Sequence, residues 1–364
     1  MLKLGHFYFA RIGHYHFAVT MVLSSIDFLF ELCQSDAMLK FIHSLEEKVI
    51  NGKGIDFNEA YNLITIDDSC IFDLIASSNR IREKFKGKSI SLCSIINAKS
   101  GDCTEDCVFC SQSIHYKTDI PEYPLISTDK IVEGARLSLA QGSHKFGIVT
   151  SGKGMDNGDE LYRVCESIRS LKSEIQIHRC ASLGILSKDA LLKLKEVGLQ
   201  EYHHNLETAR SFFSNICTTH TYDEDVETIR TAKEIGLRTC CGGIFGMGES
   251  IEQRIELCFT LRELNVDSIP LNFLHPIKGT KLENATSLKP FEILKIIALY
   301  RFMLPDKDIK IAGGREYNLR DLQSLIFAAG ANSIMVGNYL TVMGRRYEDD
   351  LQMIKDMGLE VVKK

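Results

Sequence analysis

Hydrophobic and polar positions follow a repeating pattern along most of this chain. From residue 89 onward, short apolar runs rich in β-branched residues alternate with longer stretches whose apolar residues recur at helical spacing. We predict a strand in each of eight short runs, namely SISLCSII (89–96), KFGIVTS (145–151), IQIHRCAS (175–182), EYHHNLE (201–207), RTCCGGIFG (238–246), SIPLNFL (268–274), IKIAG (309–313) and SIMVGNY (333–339).

Local signals mark where the intervening helices begin and end. Thr221 and Glu224 have the spacing of a capping box and precede apolar residues at helical spacing. Glycines also separate predicted helices from the strands that follow, at positions where a left-handed residue commonly ends a helix: Gly142, Gly198, Gly236 and Gly330.

The alternation of strand and helix favours an α/β fold with a parallel sheet. Eight units are enough to close a TIM-type (β/α)8 barrel, and an open doubly wound sheet is the alternative. We expect the barrel to span residues 89–345, with an N-terminal helical extension, or cap, over residues 38–88 and a C-terminal tail over residues 346–364. Residues 1–37 are an atypical aromatic extension that need not be native, because Met38 opens a more regular amphipathic stretch.

Composition and charge narrow the classes of function. The 364 residues are 45% hydrophobic and 25% charged, with a formal net charge of -5. This balance gives no electrostatic footprint for nucleic acid or for an anionic membrane surface. No charge-free run reaches the roughly 20 residues of a membrane-spanning helix. With 12 cysteines and no convincing signal peptide, we expect a cytoplasmic protein whose clustered cysteines serve metal binding or catalysis.

Three cysteines lie close together in the polar loop after the first predicted strand. Cys103, Cys107 and Cys110 have the spacing C-x3-C-x2-C, with Phe109 before the last. A polar loop is a poor place to bury three thiols, and structural zinc usually takes four protein ligands. Three thiolates instead fill three corners of a [4Fe–4S] cube and leave one iron open. The spacing therefore favours a cluster with a free coordination position.

Other chemically versatile residues fall at or just after the ends of predicted strands. They are Cys180, Asn205, Cys240, Asn272 and Arg315. In a (β/α)8 barrel the functional groups lie at the carboxyl ends of the strands, so this placement agrees with the fold prediction.

The cysteine motif and several longer segments carry a family resemblance. C-x3-C-x2-C with an aromatic residue before the last cysteine resembles the radical S-adenosylmethionine (SAM) enzymes. Within that superfamily, from about residue 45 to residue 360, the chain is similar to the biotin synthase family through the segments SGDCTEDCVFCSQS, YHHNLET, TTHTYDE, CGGIFGMGE, PLNFLHPIKGT, IAGGRE and AGANSIMVGNYL.

The resemblance implies a reaction and its cofactors. The family inserts sulfur into dethiobiotin to form biotin, the last step of biotin biosynthesis. SAM at the open iron of the [4Fe–4S] cluster supplies deoxyadenosyl radicals, and an auxiliary iron–sulfur cluster, [2Fe–2S] in the family, supplies the sulfur. A flavodoxin or ferredoxin as electron donor and a homodimer are also implied. Another radical SAM enzyme with a different substrate and a non-enzymatic electron carrier remain as alternatives.

The resemblance also assigns roles to individual residues. Asn205 in HNLET and Asn272 in PLNFL match positions that contact the dethiobiotin ring. Glu207 matches an aspartate that binds the ribose of SAM. Without the motif context, the two asparagines are equally well explained by backbone hydrogen bonds and Glu207 by a helix cap.

The auxiliary-cluster ligands match the family only in part. Cys180 and Cys240 correspond to two of its three cysteines, whereas Gly147 stands at the third position and Lys310 replaces an arginine ligand. Three explanations of this partial match are open. The auxiliary cluster is lost, or the alignment is off by one residue so that Cys241 is the ligand, or the site holds a different cluster with other ligands. We favour the last interpretation because Cys93 appears in the first strand, near the arginine position. Cys217 and the remaining cysteines are interpreted as structural.

Overall fold

Parallel strands form a closed barrel in the computed structural model, which describes residues 36–156 and 158–362. The strands are β1 (Ser89–Lys99), β2 (Lys145–Thr150), β3 (His178–Ser182), β4 (Glu201–His203), β5 (Arg238–Cys240), β6 (Gly243–Phe245), β7 (Ser268–Phe273), β8 (Asp308–Ile311), β9 (Ser333–Met335) and β10 (Glu360–Val361). Each predicted strand is present, and the predicted (β/α)8 fold is confirmed.

Helices surround this barrel and precede it. Residues 36–50 are helical (α1), followed by α2 (Phe57–Ile64), α3 (Ile71–Lys86), α4 (Thr128–Ala140), α5 (Asp159–Glu174), α6 (Lys188–Val197), α7 (Arg210–Phe213), α8 (Tyr222–Glu234), α9 (Ile251–Glu263), α10 (Pro290–Met303), α11 (Arg315–Leu319), α12 (Leu325–Ala328) and α13 (Tyr347–Asp356). None of the helices within the described residues is long and apolar enough to cross a membrane.

The first and last barrel strands pair directly, which closes the sheet. Cys93 on β1 is the register partner of Met335 on β9 and of Lys145 on β2. The fifth predicted strand divides into β5 and β6, and β7 pairs with both of them. Gly242 lies at the division, where an added Cβ would be 2.0 Å from the carbonyl oxygen of Pro270. The two backbones approach this closely only because the residue has no side chain.

The predicted helix signals are present. The Thr221 side chain accepts a hydrogen bond from the backbone N–H of Glu224, whose carboxylate accepts one from the N–H of Thr221. The four glycines predicted to end helices all have left-handed backbone conformations, with φ between +81° and +115°.

The segments on either side of the barrel contribute to its outer layer. Helices α2 and α3 pack against α9 and α10, and the Lys295 ammonium on α10 donates to the carbonyl of Ile66 at 2.6 Å. In the predicted C-terminal tail, α13 is followed by β10, where Glu360 pairs with Ser89. Most of the predicted extension over residues 1–37 lies outside the described residues.

Candidate active site

A cavity of about 650 Å³ opens at the carboxyl ends of the barrel strands. Its walls are mostly apolar, and side chains from the cysteine loop lie at its mouth, with Cys110 among them. Asn205 and Asn272 also line it, and the buried thiols of Cys93 and Cys180 line it from within strands β1 and β3, the part that we call its floor. The barrel therefore brings the two predicted thiol groups and the predicted substrate contacts to one cavity.

The cysteine loop is held in a defined shape by its own backbone. Cys103 is buried; its N–H donates to the carbonyl of Gln112 at 3.1 Å, and its carbonyl accepts from Ile114 at 2.9 Å. Cys107 and Cys110 are partly exposed, and the N–H of Cys110 donates to the carbonyl of Cys107 at 3.0 Å. Burial raises the pKa of the Cys110 thiol to about 11, so this sulfur needs a metal or a cation to become a thiolate near neutral pH.

The spacing of the three sulfurs fits a cluster better than a single ion. Among the described residues, two groups of His, Cys, Asp and Glu bring three or more ligand atoms within 4.8 Å of one another, and Cys103, Cys107 and Cys110 are not one of them. The sulfurs around one tetrahedral metal ion lie closer together than this. A cluster of several irons bridges a wider set of thiolates.

The predicted SAM contact, Glu207, lies beside the predicted substrate contact, Asn205. The Asn205 side-chain N–H donates to the Glu207 carboxyl at 3.2 Å, and its oxygen accepts from the N–H of Gly242 at 3.1 Å. Glu207 has a left-handed backbone with φ +60°. Burial, with repulsion from Asp225, raises the pKa of Glu207 to about 8.

Asn272 lines the same cavity from β7. Its side-chain N–H donates to the carbonyl of Gly243 at 3.2 Å, and its oxygen accepts from the N–H of Gly313 at 2.9 Å. Backbone groups therefore fix the orientation of this amide, as they do for Asn205. Each amide is held in place before any ligand arrives, which suits a rigid binding site.

At the floor of the cavity, alternate strands contribute one layer of inward side chains. Cys93 on β1, Cys180 on β3, Cys240 on β5 and Lys310 on β8 come from the first, third, fifth and seventh strands of the barrel when β5 and β6 count as one. The Lys310 ammonium lies 3.4 Å from the sulfur of Cys240 and 3.7 Å from that of Cys93. The three thiols and this cation are all buried.

The orientation of β5 distinguishes the two adjacent cysteines. Cys240 faces the cavity, whereas Cys241 is buried in the hydrophobic core outside the strands. Cys240, the ligand that the family resemblance implies, therefore lies inside the barrel. A shift of the alignment by one residue, to Cys241, would place the ligand in the outer core instead.

Charged and polar groups surround the thiol layer. The Cys180 sulfur lies 3.6 Å from the Glu201 carboxylate, which accepts from the Lys145 ammonium at 3.1 Å. His178, Cys180 and Glu201 form one of the groups whose ligand atoms lie within 4.8 Å of one another.

A histidine lies beside the second thiol. Nδ1 of His203 lies 3.3 Å from the Cys240 sulfur, and burial lowers the pKa of His203 to about 4, so its imidazole is neutral.

Burial and charge act in opposite directions on the titratable groups of this layer. Burial raises the pKa of the Cys93 and Cys240 thiols, and the Lys310 ammonium opposes this rise. Burial alone would lower the pKa of Lys310, but the neighbouring sulfurs and Glu201 outweigh it and hold that pKa well above its ordinary value. Lys310 is therefore a cation, and it donates hydrogen bonds to sulfur.

Arg315 is the exception among the residues highlighted at strand ends. Its guanidinium is buried and donates from one nitrogen to both oxygens of Asp350 at 3.0 Å. It does not line the cavity. Conversely, nothing in the sequence singles out His203 or Glu201, because one histidine or glutamate in a strand has no distinctive spacing.

Family comparisons agree with this geometry. Residues 99–261 match the radical SAM superfamily, and residues 270–360 match the Biotin and Thiamin Synthesis associated domain. A biotin synthase of Geotalea uraniireducens is 54% identical over 318 residues, covering 87% of this chain and 97% of its own. The chain belongs to the biotin synthase family. A biotin synthase of Geobacter sulfurreducens is 52% identical over 324 residues, covering 89% of this chain and 98% of its own.

Solved structures support the fold. Methylornithine synthase superposes with a TM-score of 0.77 at 22% identity, covering 88% of this chain and 97% of its own. A maturase of the [FeFe]-hydrogenase superposes with a TM-score of 0.74 at 15% identity, covering 88% of this chain and 75% of its own. These structures show the fold. The curated relatives and the family models confirm the predicted family, and this member of the biotin synthase family is an enzyme of radical SAM chemistry.

Proposed function

We propose that this chain converts dethiobiotin to biotin, with a radical source and a sulfur source at opposite ends of one cavity. One observation carries the proposal: the same cavity is lined by Cys110 of the three-cysteine loop, by a second layer of three buried thiols and by two fixed amides. A cavity that served only one cluster would have no use for the second thiol layer.

At the mouth, Cys103, Cys107 and Cys110 would hold a [4Fe–4S] cluster with one position left open for SAM. When bound, this pair supplies the deoxyadenosyl radical that removes hydrogen from an unactivated carbon. Glu207 accepts hydrogen bonds from the ribose of SAM, as carboxylates do for ribose hydroxyls elsewhere. The apolar walls exclude water from the reactive carbon.

Between the two thiol groups, Asn205 and Asn272 bind the ring of dethiobiotin. A cyclic urea presents N–H donors and a carbonyl acceptor, and each side-chain amide offers the complementary groups. Because both amides are already fixed by backbone hydrogen bonds, they orient the ring at little entropic cost.

At the floor, Cys93, Cys180 and Cys240 would hold the auxiliary iron–sulfur cluster, which would be the source of the inserted sulfur. The Lys310 side chain donates hydrogen bonds towards the sulfurs of Cys93 and Cys240, so it would stabilise an anionic cluster held by them. Three thiolates and an ammonium at this layer differ from the family's [2Fe–2S] site with its arginine ligand. We therefore propose that the auxiliary cluster here has an altered ligand set.

Products distinguish the proposed function from its alternatives. The anaerobically reconstituted and reduced protein is incubated with SAM, with and without dethiobiotin, and deoxyadenosine and biotin are measured. Biotin formed without added sulfide supports the proposal. Deoxyadenosine without biotin indicates a radical SAM enzyme with another substrate, and neither product indicates an electron carrier. Cys110→Ala should form neither product.

The auxiliary ligands have a matched control within the chain. Iron and sulfide are measured in Cys93→Ala, Cys180→Ala and Cys240→Ala, with Cys241→Ala as the control because that neighbouring thiol faces the outer core. We expect each of the first three to lose the iron of the second cluster and the control to retain it. Unchanged content in Cys93→Ala would remove that residue from the ligand set.

The partners of the reaction are part of the proposal. A small flavodoxin or ferredoxin would supply electrons in the cytoplasm, and the enzyme would act as a homodimer, both from the family resemblance. Light scattering of the purified protein tests the dimer. Reduction of the [4Fe–4S] cluster by each candidate donor, followed by electron paramagnetic resonance (EPR), tests the electron source.

A further inference from the structure

A second pocket opens at the amino ends of the barrel strands, at the opposite end from the active-site cavity. We call it the amino-end pocket; its volume is about 420 Å³. Residues at the starts of five strands line it, namely Ser91, Lys145, His178, Arg238 and Asp308. The Arg238 side chain is about 45% exposed, so the pocket is open to solvent.

Strand register places this pocket close beneath the buried thiols. Below Cys93, Cys180, Cys240 and Lys310, the next inward layer of side chains comes from the alternate strands and consists of Lys145, Glu201, Ser268 and Ser333. Each of these four pairs with the thiol layer on one side and with a residue of the amino-end pocket on the other. Lys145 pairs with Cys93 and His178, for example, and Glu201 with Cys180 and Arg238. One layer of side chains therefore separates the pocket from the thiols.

This separating layer is unusual for the interior of a barrel. Bulky apolar residues ordinarily fill that space, and burial of charged groups costs free energy unless they are paired. Here the four residues are two charged side chains and two serines, and all four are buried. A layer of small and polar side chains offers a small ion a path that an apolar layer would close.

One ion pair forms the wall between the two spaces. Lys145 lines the amino-end pocket, Glu201 lines the active-site cavity, and the ammonium donates to the carboxylate at 3.1 Å. On the cavity side, the same carboxylate lies 3.6 Å from the sulfur of Cys180. The pair closes the passage in this structure, so an ion has to displace it to reach the thiols, and a molecule as large as a chelator is excluded.

The amino-end pocket is basic. Lys86, Lys145 and Arg238 line it, whereas Asp308 is the one carboxylate among the described residues of its lining. Arg238 lies 3.4 Å from both Glu201 and Asp308, and these two contacts use two of the five N–H groups of its guanidinium. A pocket with this charge attracts a small anion and disfavours a cation such as ferrous iron.

We propose that the amino-end pocket binds hydrosulfide and admits it to the thiol layer, where it replaces the sulfur that leaves in biotin. The inference rests on the proposed function, in which that layer holds the sulfur source. Hydrosulfide is a small anion, and its sulfur has the oxidation state of cluster sulfide, so its entry needs neither an oxidant nor a reductant. The proton that it releases on binding iron leaves to water. Entry from this end leaves SAM and dethiobiotin undisturbed in the cavity above.

Uptake of radiolabelled sodium sulfide tests the inference on the reconstituted full-length enzyme. Enzyme that has completed one turnover is desalted, incubated with the label and desalted again. The acid-labile label that the protein retains is counted relative to the biotin formed in that turnover. Label retained by Cys180→Ala, which should lack the auxiliary cluster, gives the background.

Two variants change the pocket in different ways. Arg238→Gln should need about tenfold more sulfide for half-maximal uptake, because it loses one charge-assisted hydrogen bond. Ser89→Phe adds bulk to the lining of the pocket without changing its charge and should slow uptake. Arg136→Gln is the matched control, because it removes an arginine of α4 that pairs with Glu174 at the outer surface.

Dethiobiotin distinguishes the two ends of the barrel as routes of entry. Saturating dethiobiotin without SAM fills the upper cavity and should leave uptake by the wild type unchanged. Strong inhibition by dethiobiotin would show that sulfide enters from above and would overturn the inference.

The variants provide independent grounds for rejection. Equal uptake by the wild type, Arg238→Gln and Ser89→Phe would overturn the inference, while biotin from the first turnover would still support the proposed function. An equal loss of uptake in Arg136→Gln would indicate a general effect of charge and also overturn it. If Arg238→Gln fails to retain the auxiliary cluster, Ser89→Phe decides: slower uptake supports the inference and unchanged uptake overturns it. Absence of biotin from the first turnover of the wild type would instead refute the proposed function.

Discussion

Glu207 combines two features that ordinary surface carboxylates lack. Its backbone is left-handed, which is uncommon for a residue with a side chain, and burial raises the pKa of its carboxyl to about 8. The strained backbone directs the carboxyl towards the cavity and the hydrogen bond from Asn205 holds it there. Both features are expected of a residue that binds a ligand and are hard to explain by packing alone.

The raised pKa predicts how SAM binding depends on pH. Below about pH 8 the free carboxyl is mostly protonated, and above it the carboxylate is present. A carboxylate accepts stronger hydrogen bonds and attracts the positive charge of SAM. Affinity for SAM should therefore rise by about tenfold from about pH 6.5 to about pH 9, a difference of one charge-assisted hydrogen bond.

Equilibrium binding of SAM to the reconstituted protein across this range checks the prediction. Glu207→Gln keeps the shape of the side chain and removes the titration. At high pH the variant should bind SAM more weakly than the wild type, and its affinity for SAM should change little with pH. Parallel pH curves for the two proteins would show that another group controls binding.

Among the elements, helix α13 is tied to the barrel through one buried ion pair. Asp350 on α13 accepts from Arg315 on α11, and both side chains are about 1% exposed. The pair places the C-terminal helix beside the loop that follows β8. Among the described residues, the other two nitrogens of the Arg315 guanidinium have no hydrogen-bond partner. The nitrogen that binds Asp350 also donates to Glu316 at 3.2 Å, which lies next to it in sequence, so Asp350 is the main partner that the fold supplies.

Loss of this carboxylate should be costly. Asp350→Ala leaves the buried Arg315 guanidinium with only the Glu316 carboxylate, at 3.2 Å, and we expect the free energy of unfolding to fall by about 3–5 kcal/mol. Chemical denaturation of the cluster-free protein measures the change. Asp349→Ala is the matched control, because that neighbour pairs with the exposed Arg346 and should leave stability nearly unchanged. Equal losses of stability in the two variants would show that the buried pair contributes no more than the exposed one.

Sequence patterns at the scale of elements predicted the barrel well, for identifiable reasons. Most of the predicted runs are short and apolar, with β-branched residues in strands such as β1, β2 and β7, and they alternate with longer stretches that follow helix-start signals, so tertiary context had little to override. The division between β5 and β6 was missed because it depends on the close approach of Gly242 to Pro270, which lies on the neighbouring strand β7 but far away in sequence. The short helices α7, α11 and α12 were missed because they span too few residues for a period.

Site residues were predictable where the chemistry is local. Cys103, Cys107 and Cys110 form a compact motif, whereas the contact of Cys217 with Cys107 joins positions 110 residues apart. No spacing in one sequence reveals such a contact. Likewise, the choice between Cys240 and Cys241 depends on which way β5 faces, and a run of two cysteines carries no information on that point.

Over the whole molecule, the two thiol groups lie at different depths. Cys107 and Cys110 are partly exposed in the loop, whereas Cys93, Cys180 and Cys240 are buried at the floor of the cavity. Solvent reaches the first group directly and the second only through the cavity. The clusters should therefore differ in their resistance to chelators.

A chelator added to the fully reconstituted enzyme should remove iron in two phases. We expect the EPR signal of the [4Fe–4S] cluster to disappear first, with the auxiliary cluster retained for longer. Mössbauer spectra taken during the reaction distinguish the two. Dethiobiotin should slow the second phase further, because it fills the path to the floor. Simultaneous loss of both clusters would contradict the difference in depth.

The layered interior of the barrel also bears on how such a site changes during evolution. A Cβ at Gly147, on the strand next to Cys93, would lie 3.8 Å from the Cβ of Cys180 and 3.2 Å from a methyl group of Ile95. A thiol can therefore stand on either of two adjoining strands and still face the same interior space. Descendants of one ancestor could trade this ligand between strands by point substitutions, keeping the backbone, the substrate contacts and the radical source unchanged.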